Sequence, residues 1–198
     1  MPTHDRGFVV WLTGLSGAGK STIAAKLAGV LAERGHRVDL LDGDELRTSL
    51  CHDLGFSRAD RDQNVARIGF VAARLASHGV AVLVAAISPY RAARDRVRGQ
   101  VDRFIEVHVA APVAVCAERD PKGLYARALA GELPHFTGVS DPYEPPLHPE
   151  LVLHTDRETP DQSVQRILQR LEDFGLMEAQ AAAPPGESPS LRKTPILR

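Results

Sequence analysis

The nine residues "GLSGAGKST" (14–22) hold three glycines and then a lysine followed by two hydroxyls, directly after the apolar run "FVVWLT" (8–13). From Gly14 to Ser21 they satisfy G-x-x-x-x-G-K-[ST], with a strand pattern before and a helix pattern after. Gly14, Gly17 and Gly19 let the backbone turn tightly and aim successive N–H groups inward as a nest for phosphate oxygens. The helix that follows adds the positive end of its dipole. Leu15, Ser16 and Ala18 fill the variable positions, Lys20 would reach the β- and γ-phosphates, and the hydroxyl of Ser21, beside Thr22, would hold Mg²⁺. A turn that merely links strand to helix would not need every fixed position filled, so the stretch reads as a site for a nucleoside triphosphate.

Many enzymes share that cradle, so the other chemistry-bearing residues must say where the phosphate goes. There is no N-K-x-D to read guanine and no apolar strand ending in Asp-Glu; the run "VAVLVAAI" leads instead into "SPY". "LLDGDELR" puts Asp42 and Asp44 around a glycine just beyond a strand end. Two carboxylates there could help hold hydrated Mg²⁺, and one could accept a proton from an attacking hydroxyl. An Asx turn with a helix N-cap would use the same residues. In "LGFSRADRDQNVARIGF", Arg61, Asn64 and Arg67 recur every third residue, on roughly one helical face, with Phe56 just upstream. Arginine forks and an amide suit a phosphate or sulfate group, and a phenyl ring suits a base. The alternative is a solvated basic face with Phe56 in the core. "AAISPYR" brings Ile87 and Ser88 to the mouth of a sheet, with Arg91 one helical turn further.

Positioning these groups requires a scaffold. "FVVWLT" (8–13), "VDLL" (38–41), "VAVLVAAI" (80–87), "FIEVHVA" (104–110) and "LVLHT" (151–155) read as strands. Between them lie helical patterns at 21–34, 61–77, 90–100, 113–118 and 161–174. Most of the strand runs carry little or no charge, so the expectation is an α/β fold: a five-stranded, mostly parallel sheet with helices on both faces. Ligands on such sheets bind beyond the carboxyl ends of the strands. Residues 119–149, rich in Gly, Pro and charge, are too long for an ordinary connection and read as a lid carrying Lys122, Tyr125 and Phe136, with Gly123 and Gly138 as hinges. Arg119, at its start, would lie over adenine or reach the transferring phosphate. One domain is expected over 1–178, with a flexible tail at 179–198.

Composition narrows the setting. The net charge of −1 offers no global field to draw the chain to nucleic acid or membrane. No apolar stretch is long enough to span a bilayer, and the start "MPTHDRG" has no signal-peptide core. Cys51 and Cys116, far apart and outside any CxxC, read as reduced thiols in a cytoplasmic protein. The eight histidines show no metal-ligand spacing.

Taken as a set, "GLSGAGKST", "LDGDELR", "LGFSRADRDQNVARIG", "ISPYR", "RDPKGLYARALAGE", "FTG" and "DPYEPP" resemble the adenylylsulfate kinase (APS kinase) family of P-loop kinases, from about Gly7 to Leu171. The resemblance implies transfer of a phosphoryl group from ATP, with Mg²⁺, to the 3′-hydroxyl of adenosine 5′-phosphosulfate (APS), giving PAPS in sulfate assimilation. It further implies that 14–22 hold the ATP phosphates and that Asp44, with Asp42, orients the hydroxyl or metal. Arg47, Arg61 and Arg67, with Asn64, would grip the phosphosulfate, and Phe56 and Phe136 would sandwich the acceptor's adenine. Ile87, Ser88, Lys122, Gly123 and Leu124 would contact that nucleotide. The family is often assigned a phosphoserine at the position of Ser88, whereas direct in-line transfer needs only positioning and charge neutralisation. The family also suggests a homodimer and a functional link to ATP sulfurylase. "CHD" at 51–53 and Ala110 depart from its usual pattern. Two rivals are a same-fold kinase for another nucleotide or small alcohol, and a silent nucleotide-binding partner of ATP sulfurylase; the intact arginine face, Lys20 and Asp44 speak against them.

Overall fold

Runs without charge can be covered on both faces, and in the computed structural model, which describes residues 6–178, those at 8–13 and 81–85 are. The strands are β1 (Phe8–Thr13), β2 (Val38–Asp42), β3 (Ala81–Ala85), β4 (Phe104–Ala110) and β5 (Leu151–His154). They form one sheet in the order β2-β3-β1-β4-β5, and every pairing is parallel, so the expected mostly parallel sheet is wholly so. The central β1 and β3 are buried along their whole length, whereas the edge strand β2 has one buried residue, Leu41. The tail expected at 179–198 lies outside the described residues.

Seven helices among the described residues connect the strands: α1 (Lys20–Glu33), α2 (Gly43–Leu46), α3 (Arg58–Ser77), α4 (Arg91–Arg98), α5 (Val113–Arg119), α6 (Leu124–Leu129) and α7 (Pro160–Asp173). The period-two alternation of β1 sorts them. Phe8, Val10 and Leu12 face a core shared with Leu27 and Leu31 of α1 and Ile167 and Leu171 of α7. Val9 and Trp11 face the opposite core, with Ile68 and Ala72 of α3 and Ala93 and Val97 of α4.

The departures from expectation have local causes. α3 starts three residues early because the Ser57 hydroxyl accepts the Asp60 N–H and donates to the Asp60 carboxylate, closing the first turn. β3 stops at Ala85 rather than Ile87, since the carbonyls of Ile87 and Ser88 turn to side chains of Thr13 and Arg94. The segment 119–149 is not wholly irregular: the Asp120 carboxylate accepts the N–H groups of Tyr125 and Ala126 and supports the short α6.

Where α3 crosses α4, the buried Gly69 allows the close approach: a Cβ built there would lie 2.4 Å from Cγ2 of Val97. Gly69→Ala is therefore expected to destabilise the fold by about 1–2 kcal/mol despite its better helix propensity. In urea denaturation the loss should shrink when Val97→Ala is added; an unchanged midpoint in the single variant would contradict the close contact.

Candidate active site

The turn after β1 and the start of α1 form the first half of the site. Gly19 stands at the helix N-cap with φ of 97°, a conformation that costs other residues energy, and no side chain caps the helix. The first N–H groups of α1 thus face the cavity without a side-chain partner, as an anion would require. Ser16, Gly17, Gly19, Lys20, Ser21 and Thr22 line a cavity of about 650 Å³. Gly14, Leu15 and Ala18 do not line it: Gly14 packs on the Val109 carbonyl, and Leu15 and Ala18 are in the core. From below, Tyr125 donates to the Ser16 carbonyl at 3.1 Å and Thr155 to that of Ala18 at 2.9 Å. Tyr125, read as a lid aromatic, is thus a buried support of the loop.

Lys20 is 8 % exposed, and its Nζ folds back onto the carbonyls of Gly14 (3.0 Å) and Leu15 (2.7 Å). Burial pushes its pKa down to about 8; Asp44 is the strongest influence in the other direction. Asp42 serves both readings of "DGDE" at once. One oxygen caps α2 by accepting the Asp44 N–H at 2.9 Å, and the other accepts the Ser21 hydroxyl at 2.6 Å. A hydroxyl and a carboxylate oxygen side by side at the phosphate loop are hard donors of the type Mg²⁺ takes alongside substrate phosphates, so the residues fit that ion. Asp44 reaches into the cavity and pairs with Lys122, which arrives from the 119–149 segment. Both groups are more than half exposed, so the pair is worth little and opens easily.

The other half of the cavity is lined by Arg47, Phe56, Arg61, Asn64, Ile87, Ser88, Leu124, His135, Phe136 and Thr137. Phe56 is 55 % exposed, so it is not a core residue; the guanidinium of Arg47 lies 4.5 Å from its ring centre. Phe136 is braced edge-on by Tyr125 at 5.0 Å between centroids. Arg61 and Asn64 are buried, which excludes a solvated basic face at these two positions. Arg61 donates to the carbonyls of Phe56 (3.0 Å) and His135 (2.5 Å), tying the two ring-bearing segments together. Asn64 Oδ1 and Thr137 Oγ1 are buried without a hydrogen-bond partner among the described residues, which a polar ligand would relieve. Arg119 donates to Thr155 and to the Gly17 carbonyl, at the end of the cavity that includes Pro160.

A sequence profile of the family described as Adenylylsulphate kinase matches residues 6–154. The adenylyl-sulfate kinase of Gloeothece citriformis is 57 % identical over 173 residues, covering 87 % of this chain and 98 % of that protein. The chain belongs to the adenylylsulphate kinase family. A probable bifunctional SAT/APS kinase of Sorangium cellulosum is 53 % identical over 89 % of this chain, which spans 30 % of that longer protein. Among solved structures, the Mycobacterium tuberculosis APS kinase CysC in complex with AMPPNP and APS aligns with a TM-score of 0.82 and 46 % identity, over 87 % of this chain and 99 % of that one.

Within this family member, one arginine stands apart from the role its resemblance implies. Arg67 does not line the cavity; its fork clasps Asp53 at 2.6 and 2.8 Å and it also donates to Leu50. Asp53, the last residue of the divergent "CHD", is held down to about 2 by that hydrogen bonding. Gly123 is likewise off the cavity wall, serving as the left-handed cap of α6. Ser88 does reach the wall, yet it is 3 % exposed; its hydroxyl accepts from Trp11 Nε1 at 3.0 Å and donates to the Ala86 carbonyl. Thr137, Thr155 and Trp11 went unnoticed in the sequence. "FTG" marked Thr137 only as part of a block, and nothing local distinguishes the other two.

The depressed pKa of Lys20 makes nucleotide binding a proton-linked event. A triphosphate favours the charged ammonium, so above about pH 8 binding should draw in a proton. Calorimetry at pH 8.5 in buffers of different ionisation heat should find uptake of roughly half a proton or more. Lys20→Arg, charged throughout, should take up none; equal uptake in both proteins would remove Lys20 as the source.

Proposed function

We propose that the chain transfers the γ-phosphoryl group of ATP to the 3′-hydroxyl of adenosine 5′-phosphosulfate, giving PAPS, with the residues below in the roles given. The observation that carries this reading is the shared cavity. A phosphate loop with Lys20 stands at one end, and two phenyl rings with Arg47, Arg61 and Asn64 stand at the other. Rings suit the adenine of an acceptor nucleotide, and the guanidinium groups suit its sulfated phosphate.

The division of labour follows from charge. The N–H groups of 17–22 hold the phosphate chain, and Lys20 exchanges its carbonyl partners for phosphate oxygens. Asp44, released from Lys122, orients the acceptor hydroxyl and accepts its proton as the new P–O bond forms and the bond to the β-phosphate oxygen breaks. Lys122 is then available to the acceptor's or the transferring phosphate's charge. Mg²⁺, held through Ser21 and Asp42, would supply further neutralisation of the phosphates. Ser88 acts by position: both hydrogen-bonding directions of its hydroxyl are taken inside the fold, which favours direct transfer over a phosphoserine. The 119–149 segment closes over both nucleotides and keeps water from the γ-phosphate. The buried free thiols Cys51 and Cys116 suit a reducing, cytoplasmic setting, and the fused Sorangium relative supports a working link to ATP sulfurylase. A homodimer is the assembly we expect.

ADP release measured in parallel with APS, with adenosine 5′-monophosphate and with no acceptor should be substantial with APS alone. Equal release in all three would mark a plain ATPase and sink the proposal. Asp44→Ala should lower transfer by about 10²-fold or more while ATP affinity stays within a few-fold. A variant that keeps its rate would strip Asp44 of its role.

A further inference from the structure

The motif "DPYEPP" and Arg91, Arg94 and Arg98 of α4 have no part in the scheme above, yet they converge on one cluster centred on the buried Arg94–Glu106 pair. Arg94 is 2 % exposed, and its guanidinium serves three chain segments: Nε donates to Glu106 on β4 (2.6 Å), Nη1 to the Ser88 carbonyl (2.6 Å) and Nη2 to the Glu144 carbonyl (2.8 Å). Glu106 is fixed in turn by Arg98, which also forks onto Glu150, so two arginines face two glutamates. Glu144 is a second fastening. Its N–H donates to the Pro89 carbonyl (2.8 Å), and its carboxylate accepts the Arg91 N–H (2.9 Å), capping the start of α4.

The two ends of this strap carry opposite walls of the acceptor half of the cavity. On one side Ser88 is left-handed at φ 40°, a conformation a serine keeps only when its surroundings dictate it. Arg94 on its carbonyl and Trp11 on its hydroxyl do so, and Thr13 holds the Ile87 carbonyl at 2.8 Å. Because the single Thr13 proton goes to Ile87, Tyr143 donates to Thr13 (3.0 Å) and roots the strap there. On the other side Phe136 is bound to the same strap: its carbonyl accepts from Ser140 and Asp141, and Gly138 N–H donates to Asp141. Between Phe136 and Glu144 there are only seven residues, so a strap fastened at Glu144 limits where the ring can stand.

We propose that Arg94 and Glu144 are positioning residues that set the separation between the Ile87–Ser88 wall and the Phe136 wall, and so govern acceptor binding without touching the acceptor. The kinetic side of this rests on the acceptor proposed above. Neither residue contacts the phosphate loop, so ATP binding should be indifferent to them.

Initial-rate kinetics and hydrogen exchange on Glu144→Ala, Glu144→Gln and Arg94→Lys test it. Glu144→Ala should raise the KM for APS about tenfold, with ATP affinity changed by less than about twofold. It should speed amide exchange in 85–91 and 133–140 but not in 14–22. Glu144→Gln keeps an oxygen to accept the Arg91 N–H and should recover most of both effects. Arg94→Lys should act in the same direction, since one ammonium cannot reproduce a three-way fork. If that variant fails to fold, the Glu144 pair still decides. An unchanged KM, a parallel loss of ATP affinity, failure of the Gln variant to recover, or unchanged exchange in either wall would overturn the proposal. Absence of turnover by the unmodified protein with APS would instead refute the proposed acceptor, and the exchange measurements would then judge the strap alone.

Discussion

An ammonium group taken out of water must be met by oxygen, and in this protein the oxygen that meets Lys20 is its own backbone. The carbonyls of Gly14 and Leu15 satisfy its hydrogen bonds but carry no full charge, so burial still disfavours the cation. Phosphate oxygens would supply both. The site is in that sense unfinished without its nucleotide, and much of the surrounding structure keeps it so. Gly19 leaves the helix uncapped, Tyr125 and Thr155 hold the loop from below, and the nearest carboxylates are engaged elsewhere.

The same economy of charge runs through the rest of the cavity. A protein of net charge −1 can attract two polyanions only by sorting its charges locally. Asp42 divides its two oxygens between a helix cap and the Ser21 hydroxyl. Asp44 meets Lys122 in a contact open to solvent, which holds the floor and the overlying segment together at little cost to whatever displaces it. Arg94, by contrast, is locked to Glu106 in the interior, where breaking the partnership would strand a charge, and Arg98 ties Glu106 to Glu150 at the partly buried margin. An exposed pair borders the nucleotide cavity, and a buried pair holds its wall.

Strain is distributed in a matching way. Ser88 and His135, the two non-glycine residues among those described with φ of 40° or above on the positive side, stand on the cavity wall, and each has its carbonyl gripped by a buried arginine, Arg94 or Arg61. Such conformations cost about 1–3 kcal/mol each and persist where a ligand site needs a particular backbone shape. Arg61 therefore does more than its residue type suggested. It joins the Phe56 and Phe136 segments through their backbones, whatever its remaining N–H groups offer a ligand.

Much of this was legible from residue order alone. The phosphate loop, the alternation that makes β1 two-faced and the charge-poor strands that imply a parallel sheet are local patterns, decided within a few residues by sterics, dipoles and apolar periodicity. Helix ends were missed where a cap such as Ser57 went unused, and α6 because its anchor, Asp120, acts through backbone bonds that no periodicity reveals. Spacing could place Arg61, Asn64 and Arg67 on one helix face, but not choose among them. Asp53 claims Arg67 from a preceding loop, and Tyr125 turns inward to the Ser16 carbonyl, because both partners are brought near only by the folded chain. Residue types and short-range order determined that a triphosphate would sit at the end of β1. Which cations face it, and how far apart the acceptor's walls stand, depends on contacts between segments fifty or more residues apart, such as Arg94 with Glu144 or Trp11 with Ser88. Their energies exist only once the sheet has brought those segments together.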